Sequence, residues 1–288
     1  MKLKLSAYFL FFILCLGWAL IHHFPKDAVE ARVNENLSQS MPGLSLEFQN
    51  LAPSPSLGMG ARTAILNYKG KALGKWENPR LRLKPASLFQ DHWEALYQGG
   101  LLGGQISGLA RMAKNAPQDM EIQTHLETLT PQNLDLGPQW QNTRLNATLG
   151  GDLTTRLEGK VLKGLQAKLW AQALALEFPT PRHGLGELKF STAQLDLHTT
   201  DAGKVAVDTC LFKGPTLDIK ASGVLTLGPK LQDTQLNLDA QLTLHPLFFM
   251  TAGKKSPQGG KKQKKTKIRL TLTGTLDHPR ISLKGGKK

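Results

Sequence analysis

Between Leu217 and Leu227 every second residue is small or apolar, through Leu217, Ile219, Ala221, Gly223, Leu225 and Leu227. Successive side chains of an extended strand point to opposite faces, so this spacing gives a strand one dry and one wet face, and a helical period does not fit it. The pattern returns at Leu236, Leu238, Ala240, Leu242 and Leu244, at Ile268, Leu270, Leu272, Gly274 and Leu276, and at Ile281 and Leu283. Thr, Asp, Gln, Asn and Lys fill the alternate positions. Less regular versions run over Ile122 to Leu129, Leu145 to Leu157, Leu165 to Phe178, Leu188 to Leu197 and Val205 to Leu211. Leu44, Leu46 and Phe48 alternate in the same way near the start of the body, as do Leu81 and Leu83.

Turn residues fall between these stretches. Gly150-Gly151, Gly184, Asp201-Ala202-Gly203, Lys213-Gly214-Pro215, Gly228-Pro229 and Asp277-His278-Pro279 mark expected strand ends. Gly58-Met59-Gly60 and the glycines from Gly99 to Gly108 also read as turns. Roughly ten to twelve strands joined by short turns favour an antiparallel meander with one wet face. Two helices are expected beside it. One runs over residues 26–40, where Ala28, Val29, Val33 and Leu37 are apolar among charges. The other spans Ala86 to Gln98, where Leu88, Phe89, Trp93, Leu96 and Tyr97 recur every three to four residues after Pro85.

Ahead of this body, Leu5 to Phe24 contains no Asp, Glu, Lys or Arg. Twenty residues at about 1.5 Å each match the roughly 30 Å hydrocarbon layer of a bilayer. A cleaved signal peptide also fits an apolar run behind Lys2 and Lys4, but Leu16 to Pro25 lacks an A-x-A cleavage pattern. The expectation is a retained anchor through Leu5, Phe9, Phe12, Leu16, Trp18 and Phe24. The lysines place the N-terminus in the cytoplasm and the body across the membrane. The expected division is a tip and anchor at 1–24, a juxtamembrane helix and linker at 25–43, and a β domain at 44–288 with a Lys-rich insertion at 252–267.

The formal net charge is +14, and it is lopsided. From Lys254 to Lys288 there are 12 basic residues and one acid, Asp277, leaving +3 for the rest. A nucleic-acid module spreads its basic residues over a folded face among aromatic ones, and that pattern is missing, so no nucleic-acid partner is expected. Lys254, Lys255, Lys261, Lys262, Lys264, Lys265 and Lys267 are instead candidate contacts for anionic head groups or an acidic protein surface, with a solvated loop as the alternative. The chain contains no G-x-S-x-G elbow, H-E-x-x-H, C-x-x-C or Walker lysine loop. Its eight histidines are dispersed, Asp196, Asp208, Asp218 and Asp239 sit on wet strand faces, and Cys210 reads as a small buried hydrophobe. The reading is a protein without catalytic, cofactor or metal sites.

The order of these parts resembles the type II secretion system protein N family, whose periplasmic part is similar to AsmA-like envelope proteins. The resemblance rests on the N-terminal anchor, Pro85-Ala86-Ser87-Leu88, the Gly99-Gly100 to Gly108 stretch, and the closing run Leu272-Thr273-Gly274-Thr275-Leu276-Asp277-His278-Pro279-Arg280-Ile281-Ser282-Leu283. It implies a mainly β protein: one N-terminal transmembrane helix followed by an antiparallel, AsmA-like curved sheet with one or two short helices. It also implies a single-pass protein of the bacterial inner membrane that contacts other type II secretion components. The alternative is an AsmA-like lipid-handling protein with phospholipid in an apolar groove. Leu217, Ile219, Leu225, Leu227, Leu238, Leu242, Leu270 and Leu272 are the candidate groove or core face, and the two readings differ in whether that face is packed or open.

Overall fold

The computed structural model describes residues 24–40, 43–54, 57–68, 70–135, 142–159, 161–182, 185–201, 203–228, 233–251, 266–276 and 278–283. The described chain is mainly antiparallel β-structure with two α-helices, in two compact units, Met1–Leu101 and Leu102–Lys288.

In the first unit, helix α1 (Lys26–Ser40) precedes strands β1 (Leu44–Gln49), β2 (Ala52–Ser54), β3 (Gly58–Gly60), β4 (Thr63–Tyr68), β5 (Lys71–Leu83) and β6 (His92–Leu101). β1 pairs with β4, β4 and β3 with β5, β3 with β2, and β5 with β6, all antiparallel. Helix α1 serves the sheet edge through one amide. Asn34 Oδ1 accepts from the Leu46 N–H at 2.7 Å and its Nδ2 donates to the Leu46 carbonyl at 2.9 Å, so the side chain takes the place of a neighbouring strand. Glu30 Oε1 accepts from Phe48 N–H at 3.3 Å one step further along β1.

Three expectations fail in this unit. Gly99 and Gly100, expected as turn residues, lie within β6. Gly58-Met59-Gly60 forms β3, because Met59 pairs with Pro53 on one side and Leu81 on the other. The helix expected over Ala86 to Gln98 is a 3-10 turn at Pro85–Phe89 followed by β6. Gln90 is extended (φ −103°, ψ 168°), which ends the turn, and pairing of Leu81 with Tyr97 and Leu83 with Ala95 supplies backbone hydrogen bonds that a helix would forgo. The apolar three-to-four spacing is not a buried stripe: Phe89 is 93% exposed and Leu96 44%. Strand pairing overrides the local period here.

The second unit contains β7 (Gly104–Ala113), β8 (Met120–Leu129), β9 (Leu134–Asp135), β10 (Arg144–Glu158), β11 (Val161–Arg182), β12 (Leu185–Asp201), β13 (Lys204–Lys213), β14 (Leu217–Thr226), β15 (Gln235–Leu244), α2 (Pro246–Thr251), β16 (Thr266–Thr275) and β17 (Pro279–Leu283). From β10 to β17 each strand pairs antiparallel with the next; β8 and the short β9 share the other side of β10, and β7 pairs with β8. Strand boundaries correct several expectations. Gly150-Gly151 lies within β10, β14 ends at Thr226 before Leu227, and Thr266 and Lys267 belong to β16.

Cross-strand register assembles one apolar face. Leu217 lies opposite Leu244, Ile219 opposite Leu242, Ala240 opposite Leu270 and Leu238 opposite Leu272. The row extends to Phe212 on β13 and, through Ala193 and Ala171, to Leu149 on β10. Ala147, Ala171, Leu174, Phe190 and Leu217 form its buried cluster, and the Phe190 and Phe212 rings meet edge to face at 5.3 Å between centroids. A second cluster joins Ala221, Ala240 and Leu270.

Candidate functional site

Two features of the second unit stand out as binding surfaces: the apolar face and the last strand. Of the eight residues expected on that face, Leu217 and Leu270 are buried, while Ile219, Leu225, Leu238, Leu242 and Leu272 are half-buried. The register brings these seven onto one surface of β14 to β16. Leu227 lies beyond β14, where its N–H donates to the Gly203 carbonyl at 2.7 Å. Neighbouring strands of the same sheet supply the contacts that bury this surface.

At the end of the meander β17 pairs, among the described residues, with β16, with Leu272 opposite Ile281 and Leu270 opposite Leu283. Ile281 is 67% exposed and Leu283 73%. They continue the apolar row to a bare margin, where backbone donors and acceptors await a partner strand. The opposite side of the same margin is basic, with Lys267 and Arg269 on β16 and Arg280 on β17, all exposed. The sequence signal for this edge was the closing alternation; the bareness of its outer side has no sequence signature.

Of the other expected sites, Leu5, Phe9, Phe12, Leu16 and Trp18 lie outside the described residues, as do Lys254, Lys255, Lys261, Lys262, Lys264 and Lys265. Phe24 is half-buried just ahead of α1. No helix among the described residues is long and apolar enough to cross a membrane. The acids expected on wet strand faces are exposed or half-buried there, and each also holds a side-chain partner. Asp208 Oδ2 meets His198 Nδ1 at 2.6 Å, Asp218 Oδ2 meets His245 Nε2 at 2.8 Å, Asp239 Oδ1 accepts from Thr271 Oγ1 at 3.0 Å, and Asp196 Oδ2 accepts from Gln194 Nε2 at 3.0 Å. His125 Nδ1 similarly meets Asp152 Oδ1 at 2.8 Å across β8 and β10.

Sequence reasoning missed one buried carboxylate. Glu94 on β6 is only 7% exposed and pairs with Lys84 Nζ at 2.8 Å and His92 Nε2 at 3.2 Å, while its carbonyl accepts from the Lys84 N–H. Both partners come from the chain flanking the 3-10 turn, so the acid pins that turn to β6. Cys210 sits half-buried on the apolar face, where burial pushes its thiol pKa up. A raised thiol is a poor nucleophile at neutral pH. No group of three metal-ligating side chains gathers among the described residues. Compared with protein-family models, curated proteins and solved structures, the chain matches none.

Proposed function

We propose that this protein is a non-enzymatic accessory component of type II protein secretion, anchored in the bacterial inner membrane by residues 5–24 with its body in the periplasm, and acting through contacts of its β-sheet. The observation that carries the reading is the bare edge at β17, with Ile281 and Leu283 exposed beside Arg280. A partner strand added there gains main-chain hydrogen bonds, a continuous apolar row and a basic flank. The fold of Leu272 to Leu283, which carries the resemblance to the secretion family, is compatible with that role: it holds the end of strand β16 and this edge strand.

The half-covered apolar face favours a second reading. Ile219, Leu225, Leu238, Leu242 and Leu272 stay partly open to solvent, which suits a trough that shelters acyl chains. Gentle detergent extraction of the full chain, followed by mass spectrometry of co-purifying proteins and lipids, separates the two. Secretion components that are retained by the wild type and lost with Ile281→Asp/Leu283→Asp support the accessory role. Phospholipid at about one per chain without such partners points to the trough.

A further inference from the structure

We propose that the polar face of the second unit carries a site for an acidic sugar, meaning a pyranose ring bearing a phosphate or carboxylate. The site is a hollow of about 520 Å³ over β11, β12 and β13, on the side opposite the apolar row. That volume lies within the roughly 300–1,000 Å³ of small-molecule pockets. It is independent of the bare edge and of the acyl trough.

Strand register lays the hollow out as a grid. Trp170, Gln194 and Leu211 form its middle row across the three strands, Lys168 and Asp196 flank that row on one side, and Gln172, Thr192 and Lys213 flank it on the other. Trp170 and Leu211 break the alternation, because they are large apolar residues on the wet face. Such local rule-breaking without a core to serve marks a functional position.

Trp170 is held in place. On β10 the residue opposite it is Gly150, and a Cβ there would lie 2.3 Å from Trp170 Cζ2, so the indole occupies the space a side chain would take. It remains 38% exposed and lines the hollow. Leu211 stands two strands away, about 10 Å across the sheet, which leaves room for one ring over Gln194 between two apolar walls.

The polar groups between those walls suit hydroxyls. Gln194 Nε2 donates to Asp196 Oδ2 at 3.0 Å, which orients the amide and turns its carbonyl oxygen outward as an acceptor. Lys168 and Lys213 at the two ends form no ion pair among the described residues. The three charged groups of the hollow, Lys168, Lys213 and Asp196, leave one net positive charge beside an aromatic platform, which favours an anionic ring over a neutral one.

The test titrates the full chain in detergent micelles with glucose 6-phosphate, glucuronate and glucose, read by saturation-transfer NMR, with inorganic phosphate scored as a competitor of the glucose 6-phosphate signal. The expected result is binding of both acidic sugars through their ring protons, at least about tenfold more weakly for glucose, and no displacement by phosphate. Lys168→Gln/Lys213→Gln should bring the acidic sugars down to the level of glucose. Trp170→Ala should abolish binding, and Trp170→Phe should retain part of it. Since removing the indole uncovers Gly150, Leu211→Asn at the rim is the second variant, expected to cost about tenfold in affinity with an unchanged melting curve. Displacement of glucose 6-phosphate by phosphate, no binding of either acidic sugar, or wild-type affinity in Leu211→Asn and the double lysine variant would overturn the proposal.

Discussion

The ladder from β14 to β16 and the longer strands β10 to β13 are built on the same principle and differ in regularity. In the ladder, registers run without a shift through both strand pairs. From β10 to β13 each pairing with the next strand, and that of β13 with β14, is interrupted at least once, for example between Asn146 and Thr148, Asp196 and Leu197, and Val207 and Cys210. The buried row changes from odd to even positions between Ala171 and Leu174 in β11, where Ala173 has φ of 49°, and between Ala193 and Phe190 on facing β12. Because the changes of parity face each other across β11 and β12, the apolar side stays continuous. The hollow at Trp170 lies beside them. Regular strands make a wall, and irregular ones make a place on it.

Four outcomes sharpen or break this contrast. The largest effect is expected in the irregular strands, where Phe190 is 3% exposed and bridges β11 to β13. Phe190→Ala should lose about 3–5 kcal/mol in denaturant titration; a loss below about 1 kcal/mol would mean that the slips leave this cluster loosely packed. Next comes Gly223 in the ladder, with φ of 150° and a would-be Cβ 2.2 Å from the Asn237 carbonyl oxygen. Gly223→Val should cost about 1–3 kcal/mol, with faster hydrogen exchange in β14 and β15 than in β11.

A smaller effect concerns the acid limb. Hydrogen bonds from Gln123 and Arg156 hold the Glu121 carboxyl below its ordinary value of 4.5. A lowered carboxylate pKa stabilises the folded state above the unfolded-state value, and that contribution is lost as pH falls through the folded-state value. Stability measured from pH 6 downward should therefore fall less steeply below about pH 4.5 in Glu121→Gln than in the wild type. The smallest is a rate. Burial raises the Cys210 thiol pKa, so labelling by a maleimide at pH 7 should be slow in the native state and fast in denaturant. Rapid native labelling would show that the apolar face opens readily at β13.

The contrast also explains what could be read before any coordinates. Strict alternation made β14, β15, β16 and the apolar face legible, because side-chain parity follows directly from spacing. The same rule hid the extent of β10 to β12. Gly150-Gly151 looks like a turn, yet Gly150 exists to seat Trp170 within a strand. The slip at Ala173 splits one 22-residue strand into two patterns of opposite parity. Helical spacing from Leu88 to Tyr97 misled because pairing with the preceding strand β5 decides that segment. The groups of the hollow were invisible for the same reason: Trp170, Gln194 and Leu211 come from three strands and meet only through register.

From β10 to β17 every strand is stitched to its neighbours in sequence, and this shapes how the unit comes apart. Its stability is a sum of adjacent interfaces, as in a row of repeats, with no distant segment closing the array among the described residues. Opening therefore proceeds strand by strand from the β17 margin inward, and each peeled strand exposes a fresh edge of the same kind. A partner strand bound at that margin lengthens the array by one link and moves the point of fraying outward, so binding there doubles as a brace for everything behind it.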